Sequence, residues 1–226
     1  MSAISNVSME STVQKDISTQ KGVKTHHASH KTNAAGSSAI SRPKLDGTRS
    51  SKEDVLATPP RSEGWKCEWR NGKIELNETS LASKDRSVIN ILIRTFTRTI
   101  YFEEGWLYAE QRCLLKTASG ESVRIADIAY LTEPQHDSLK AGKFPVPAFV
   151  VEIVHDEDRR GKLRQKIAEY FANGVQCVWC IYLDSKRVRV YRSPQDSTLV
   201  RNNALCSAAP ALPDLTLSAK DVFEYL

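Results

Sequence analysis

Two nearly unbroken apolar runs constrain this chain more than any other feature: Ala148–Val154 (AFVVEIV) and Val175–Leu183 (VQCVWCIYL). Runs of this length and composition read as strands buried on both faces. Between them, Arg160–Asn173 places Leu163, Ile167, Tyr170 and Phe171 at helical spacing, with Gly174 where a C-terminal cap belongs. Strand, amphipathic helix, strand is the signature of a sheet covered by helices, so the fold class is α/β.

The rest of the chain fits that frame. Lys66–Leu76 holds Asn71-Gly72 between two short alternating segments, a hairpin signal. Ser83–Tyr101 carries Val88, Leu92, Phe96 and Ile100 at helical spacing behind Ser83 as N-cap, which favours a helix. Its β-branched content keeps a strand open as the alternative. Trp106–Thr117 and Ser122–Leu131 alternate on either side of Ala118-Ser119-Gly120-Glu121 and read as a second hairpin. A loop with Pro134, Gly142, Pro145 and Pro147 leads into the first apolar run, and Asp184-Ser185-Lys186 turns the second into Arg187–Arg192. Leu215–Leu226 offers a short helix from about Ser218. The expected architecture is a central mixed sheet flanked by helices, without internal repeats.

Composition sharpens the boundaries. Residues 1–64 contain no Phe, Trp or Tyr, and up to Pro60 eight Lys/Arg face five Asp/Glu, which is +3 of the chain's +5. Such a segment buries too little apolar surface to offset its backbone entropy. It reads as a disordered tail (1–64) before one domain (65–226). His26, His27 and His30 in that tail make a weak metal tract at best. The domain, at about +2, is not an overtly basic nucleic-acid binder. Five cysteines, an odd number thinly spread, argue against a disulfide framework. No apolar run approaches the roughly 18 residues of a membrane span, and no secretory apolar core opens the chain, so a cytoplasmic protein without membrane contact is expected.

Two acids stand where acids are costly. Glu152 interrupts Phe149–Val154, and Asp127 lies within Ile125-Ala126-Asp127-Ile128-Ala129. A carboxylate in a buried strand requires a cationic partner or a metal. Two acids on neighbouring strands suit one hard cation such as Mg²⁺. Pairing with Arg124, Arg159 or Arg160 is the alternative. Lys166, fourteen residues beyond Glu152 on the following helix, can return an ammonium to the strand ends; Lys162 shares its helix face.

The stretch Asp127–Tyr191 resembles the Uma-type family of restriction endonucleases within the PD-(D/E)XK nuclease superfamily. The resemblance is carried by Ala126-Asp127, Glu152-Ile153-Val154-His155, Arg159-Arg160, Lys166-Ile-Ala-Glu-Tyr170, Gly174-Val175 and Val178-Trp179, with Glu68–Ile74 as the opening segment. It departs from the family where Ala126 stands for a proline and His155 for a serine. The resemblance implies a restriction-endonuclease-like core and a metal-dependent endonuclease acting on DNA, with a catalytically inactive DNA- or protein-binding module as the alternative. Asp127, Glu152 and the backbone carbonyl of Ile153 would hold Mg²⁺, or Mn²⁺ in its place. Lys166 would be the family's lysine, displaced from its usual position two residues after the second acid, with Lys162 in reserve. His155 and Asp85 are further reserve candidates, and a homodimer would suit a double-strand cutter.

Cys177-Val178-Trp179-Cys180 has metal and redox spacing, but no second ligand pair follows, and a spacing of three within a strand sends the thiols to opposite faces. Both cysteines read as small buried hydrophobes. Trp179 and Tyr182 read as core aromatics.

Overall fold

The computed structural model describes residues 43–60, 64–79, 83–154, 160–224 and 226. Ten strands and six helices follow one another as α1 (Lys52–Ala57), β1 (Trp65–Arg70), β2 (Lys73–Glu78), α2 (Ser83–Phe96), α3 (Tyr101–Glu104), β3 (Gly105–Thr117), β4 (Gly120–Thr132), α4 (Glu133–Lys140), β5 (Phe149–Val154), α5 (Arg160–Ala172), β6 (Cys177–Tyr182), β7 (Arg187–Tyr191), β8 (Ser197–Val200), β9 (Leu205–Ala208), β10 (Leu212–Ser218) and α6 (Ala219–Val222). Eight strands form one sheet in the order β2-β1-β4-β5-β6-β7-β8, with β3 added on β4, and β9–β10 form a separate pair. Only β5 and β6 run parallel, joined through α5. The α/β architecture is therefore as the apolar runs imply. Its sheet is mostly antiparallel.

Both hairpins form where the turn chemistry places them. Asn71 (φ +49°) and Gly72 (φ +80°) supply the two left-handed residues that a two-residue hairpin turn needs. The Ser83 segment is a helix: Val88, Leu92 and Phe96 form a buried stripe on one sheet face with Val151, Ile153 and Trp179. The opposite face packs Ile167 and Tyr170 of α5 on Val150, Val178 and Cys180. Trp179 is fully buried, and truncating such a side chain to alanine costs about 3–5 kcal/mol. Among the described residues no helix is long and apolar enough to cross a membrane.

Two features go beyond what the sequence pattern implies. First, residues 43–60, in the stretch that reads as tail, pack on the first hairpin. Val55 is fully buried against Trp65, Cys67, Trp69 and Leu76. The Trp69 indole donates to the Ser50 carbonyl at 2.8 Å, and the Leu76 amide to Asp46 Oδ1 at 2.8 Å. Second, the proline-containing loop holds a helix, α4. Gln135 stabilises its start, accepting from the Thr132 amide at 3.0 Å and donating to the Val146 carbonyl at 2.7 Å.

Candidate active site

The site lies where the sheet forks. One edge of β4 pairs with β3 almost throughout. The other edge is shared: β1 pairs at Ser122 and Val123, and β5 pairs at Ile128, Ala129 and Tyr130. Between those partners, Arg124–Asp127 faces diverging strands. Continuing the β4–β5 register by one position sets Asp127 opposite Glu152.

Side chains complete the hydrogen bonding that the fork interrupts. The Ile125 amide donates to Glu68 Oε1 at 2.9 Å, and the Ile125 carbonyl accepts from the Lys166 ammonium at 2.8 Å. The Ile153 amide donates to Asp127 Oδ2 at 2.5 Å. Buried backbone groups must be paired, so charged side chains at this point replace a ladder rather than merely fill space. The β3–β4 hairpin also changes face here. Ala126 and Ala129 both pack on the α5 side, which strict alternation forbids. Opposite Asp127, Glu110 adopts φ +51°, a conformation uncommon outside glycine and found at re-aimed strand positions.

Asp127, Glu152 and Lys166 therefore come together on the α5 face. Asp127 and Glu152 are 1% and 5% exposed. The Lys166 ammonium bonds Glu152 Oε2 and Glu68 Oε1, each at 2.8 Å, and Tyr170 donates to Glu152 Oε1 at 2.8 Å. Lys66 of β1 pairs with Asp127 Oδ1. Among the described residues the acids meet lysines rather than Arg124. Arg124 serves a neighbouring set, bonding Glu68 at 3.0 Å, Glu75 at 2.6 Å and Glu169 at 2.7 Å. Arg70 reaches Glu169 at 2.9 Å, and Ser122 donates to it at 2.9 Å. Among the described residues, five carboxylates face four cations here.

Of the reserve candidates, Lys162 is exposed, one turn before Lys166. Asp85 sits in the first turn of α2, which packs on the other sheet face, and its side chain lies outside the described residues. His155 and Arg159 also lie outside the described residues, as does the Arg160 side chain.

Lys66, Glu68, Tyr170, Arg124 and Glu169 were not placed in the site from sequence. One signal for two of them, Lys66 and Glu68, lies in the sequence: KCEWR alternates charge with Cys67 and Trp69, and a period of two separates a charged face from an apolar one. Tyr170 stands one helical turn after Lys166.

The cluster sets its own protonation. Burial drives the Glu152 carboxyl up to about 7; Lys166 opposes this and Asp127 adds to it. Burial also disfavours ionised Glu68, but the charges of Lys166 and Arg124 outweigh it and hold the group at about 2. Burial acts to lower Lys166, yet Glu152, Glu68 and Asp127 raise it above its ordinary value, so it is an ammonium. The paired thiols show the opposite environment: burial raises Cys177 to about 12 and Cys180 well above its ordinary value, on opposite faces of the sheet.

The donor chemistry admits a hard cation. Among the described residues no three His, Cys, Asp or Glu side chains converge as a metal site. A metal on Asp127 and Glu152 would therefore take its remaining ligands from main chain and water, which is the habit of Mg²⁺ rather than of Zn²⁺ or Ca²⁺. In an extended strand the N–H and C=O of one residue share an edge, so the Ile153 carbonyl lies on the Asp127 side with its amide. Lys66 supplies the positive charge on Asp127 in this structure.

Comparison with known proteins bears on this arrangement. The model of the Uma2 family, described as "putative restriction endonuclease", matches residues 53–220. The chain belongs to the Uma2 family. A crystal structure described as a "putative nuclease belonging to DUF820" from Anabaena variabilis ATCC 29413 superposes with a TM-score of 0.59 at 20% identity, covering 76% of this chain and 96% of that one. At that identity the likeness speaks to the fold, which is nuclease-like. No curated protein matches. The Uma2 match begins at Glu53, inside α1, so it takes in the helix that packs on the first hairpin. It also spans all three residues at the fork. Family and fold together support a nuclease function for this Uma2 protein.

Proposed function

We propose that this Uma2 protein is a Mg²⁺-dependent endonuclease that hydrolyses DNA phosphodiester bonds at the fork between β4 and β5. The observation that carries the proposal is the reach of Asp127 across the fork to the Ile153 amide. It sets the two acids side by side on one face, with a helix ammonium behind them. Asp127, Glu152 and the Ile153 carbonyl would hold the metal, and Mn²⁺ has the same oxygen preference. When bound, the cation would lower the pKa of a coordinated water and polarise the phosphoryl oxygen.

The residues of the chain do the rest. Asp127 is held in place by the Ile153 amide on one oxygen and by Lys66 on the other. Lys166 directs its contacts to Glu152, Glu68 and the Ile125 carbonyl, so it is a positioning residue that fixes Glu152. Held as an ammonium, it has no lone pair with which to act as a general base. Tyr170 locks the second oxygen of Glu152. Burial of the set excludes bulk water and strengthens each of these interactions.

One observation favours a second reading, a nuclease-fold module that binds DNA or a protein without cutting. Every oxygen of Asp127 and Glu152 already meets a protein donor, so the cluster is satisfied without a metal. Cleavage of supercoiled, linear and single-stranded DNA with Mg²⁺ or Mn²⁺, with Glu152→Ala as control, tests the enzyme reading. Metal-dependent cutting lost in the variant supports it. No cutting of any form, together with no Mg²⁺ heat in calorimetry, assigns the binding module.

A further inference from the structure

Helix α5 has a second flank. Away from the carboxylate cluster, Arg164 and its neighbours on α5 wall a groove of about 660 Å³ whose floor and far side come from β6, β7 and β8. Three arginines, Arg164, Arg187 and Arg189, line it with the phenols of Tyr182 and Tyr191 and the hydroxyl of Ser197. Among the described residues no carboxylate lines it. Burial and Cys180 raise the two phenols, and the positive charges that oppose this are those of the same three arginines. The groove is therefore locally cationic in a domain of nearly balanced charge.

Its arginines are held in place. The Arg187 guanidinium lies over the Tyr182 ring, 5.0 Å from its centroid, and Arg189 donates to Ser197 Oγ at 3.2 Å. A guanidinium fixed by stacking or by a hydroxyl loses less freedom when it binds a phosphate, and its fork matches phosphate oxygens. The groove is also in register with the acids. Glu152 pairs across the sheet with Cys180, and Cys180 with Arg189, so Arg189 stands two strands from Glu152 on the same face, roughly 10 Å at normal strand spacing. In the adjacent rows of that face Tyr182 pairs with Arg187, and Val178 with Tyr191.

We infer that this groove binds the backbone of a single nucleic-acid strand, its arginines on successive phosphates and the half-buried Tyr191 offering ring surface to a base. Cationic walls over an aromatic floor are what sequence-independent strand binding requires. The inference deepens the proposed function by placing the substrate strand beyond the cleavage point, and it can fail separately from that function.

The test is fluorescence anisotropy of a labelled 15-nucleotide single strand in EDTA, where nothing is cut. Arg164→Gln/Arg189→Gln is expected to bind about tenfold more weakly at physiological salt. The slope of log affinity against log salt should shrink by about 1.4, since each phosphate contact on a single strand contributes about 0.7. Arg164→Glu alone, at an exposed helix position, should weaken binding in the same direction without touching the core. Affinity and salt slope equal to wild type in both variants would overturn the inference. So would displacement of the strand by low-millimolar inorganic phosphate, which would assign a simple anion site. Arginine-dependent binding by a wild type that never cuts would leave the groove standing and remove the endonuclease. Cutting that is indifferent to the arginine variants would do the reverse.

Discussion

Replacing Lys166 by methionine keeps most of the unbranched stem and removes the ammonium. The ammonium touches three oxygens at 2.8 Å: Glu152 Oε2, Glu68 Oε1 and the Ile125 carbonyl. Glu68 is 0% exposed and Glu152 5%, so neither can turn to water when the cation is gone. Breaking a buried ion pair from one side costs about 3–5 kcal/mol, because the remaining charge is buried and unpaired. Two carboxylates and a carbonyl lose a donor here, so the expected loss for Lys166→Met lies at the upper end of that range. Urea unfolding in EDTA at pH 8, followed by the fluorescence of the buried tryptophans, measures it. Adding Glu152→Gln removes one of the stranded charges, so the double variant should recover part of the loss. The coupling should be on the order of 1–3 kcal/mol, as for residues in direct contact. A loss below about 1 kcal/mol, or strict additivity, would show that Lys166 does not neutralise the two acids and would refute the reasoning.

Three further outcomes follow from the same geometry. In metal-free buffer Glu152, raised to about 7 from 4.5 by burial, contributes stability that is complete below pH 4.5 and lost as pH rises through 7; the change is about 3 kcal/mol at 1.36 per unit. Glu68, held at about 2, acts in the opposite sense, its contribution being present above pH 4.5 and lost as pH falls toward 2. Glu152→Gln should therefore flatten the decline between pH 5 and 7 in urea melts, and an unchanged slope would contradict the assignment. Lys66→Met should raise Mg²⁺ affinity by about tenfold in calorimetry, since it removes the cation that competes for Asp127, whereas Asp127→Asn should abolish binding. Val55→Ala should destabilise the domain by about 2 kcal/mol through lost burial and a cavity against Trp65 and Leu76; no change in the midpoint of unfolding would return residues 43–60 to the tail.

How much of the site can be read from the chain depends on what kind of neighbour each residue has. Glu152 and Asp127 announce themselves because an acid inside an apolar strand is anomalous on local grounds alone. Lys66 and Glu68 do not. Their alternation with Cys67 and Trp69 marks a charged face, but nothing local tells whether that face meets solvent or α5. The answer comes from the fork, where β1 and β5 share one edge of β4 and leave four residues between them. Register between distant strands is a tertiary property, and Lys66 and Asp127 are separated by 61 positions. Val55 is hidden for a different reason. A Ser- and Lys-rich average conceals one apolar residue, yet that residue, the bonds of Ser50 and Asp46 to Trp69 and Leu76, and the main-chain bonds of Gly47, Thr48 and Ser50 hold the segment on the hairpin.

The charge of Lys166 shows most clearly why position precedes role. From sequence, a lysine at its ordinary pKa must be depressed before it can take a proton at neutral pH, and burial alone would depress it. At the fork it meets three carboxylates, and their combined field exceeds the desolvation and raises it. An endonuclease built on this cluster therefore cannot draw its base from Lys166. What Lys166 supplies instead is position: it holds one oxygen of Glu152 while Tyr170 holds the other, which fixes the carboxylate that would ligate the metal under the proposed function.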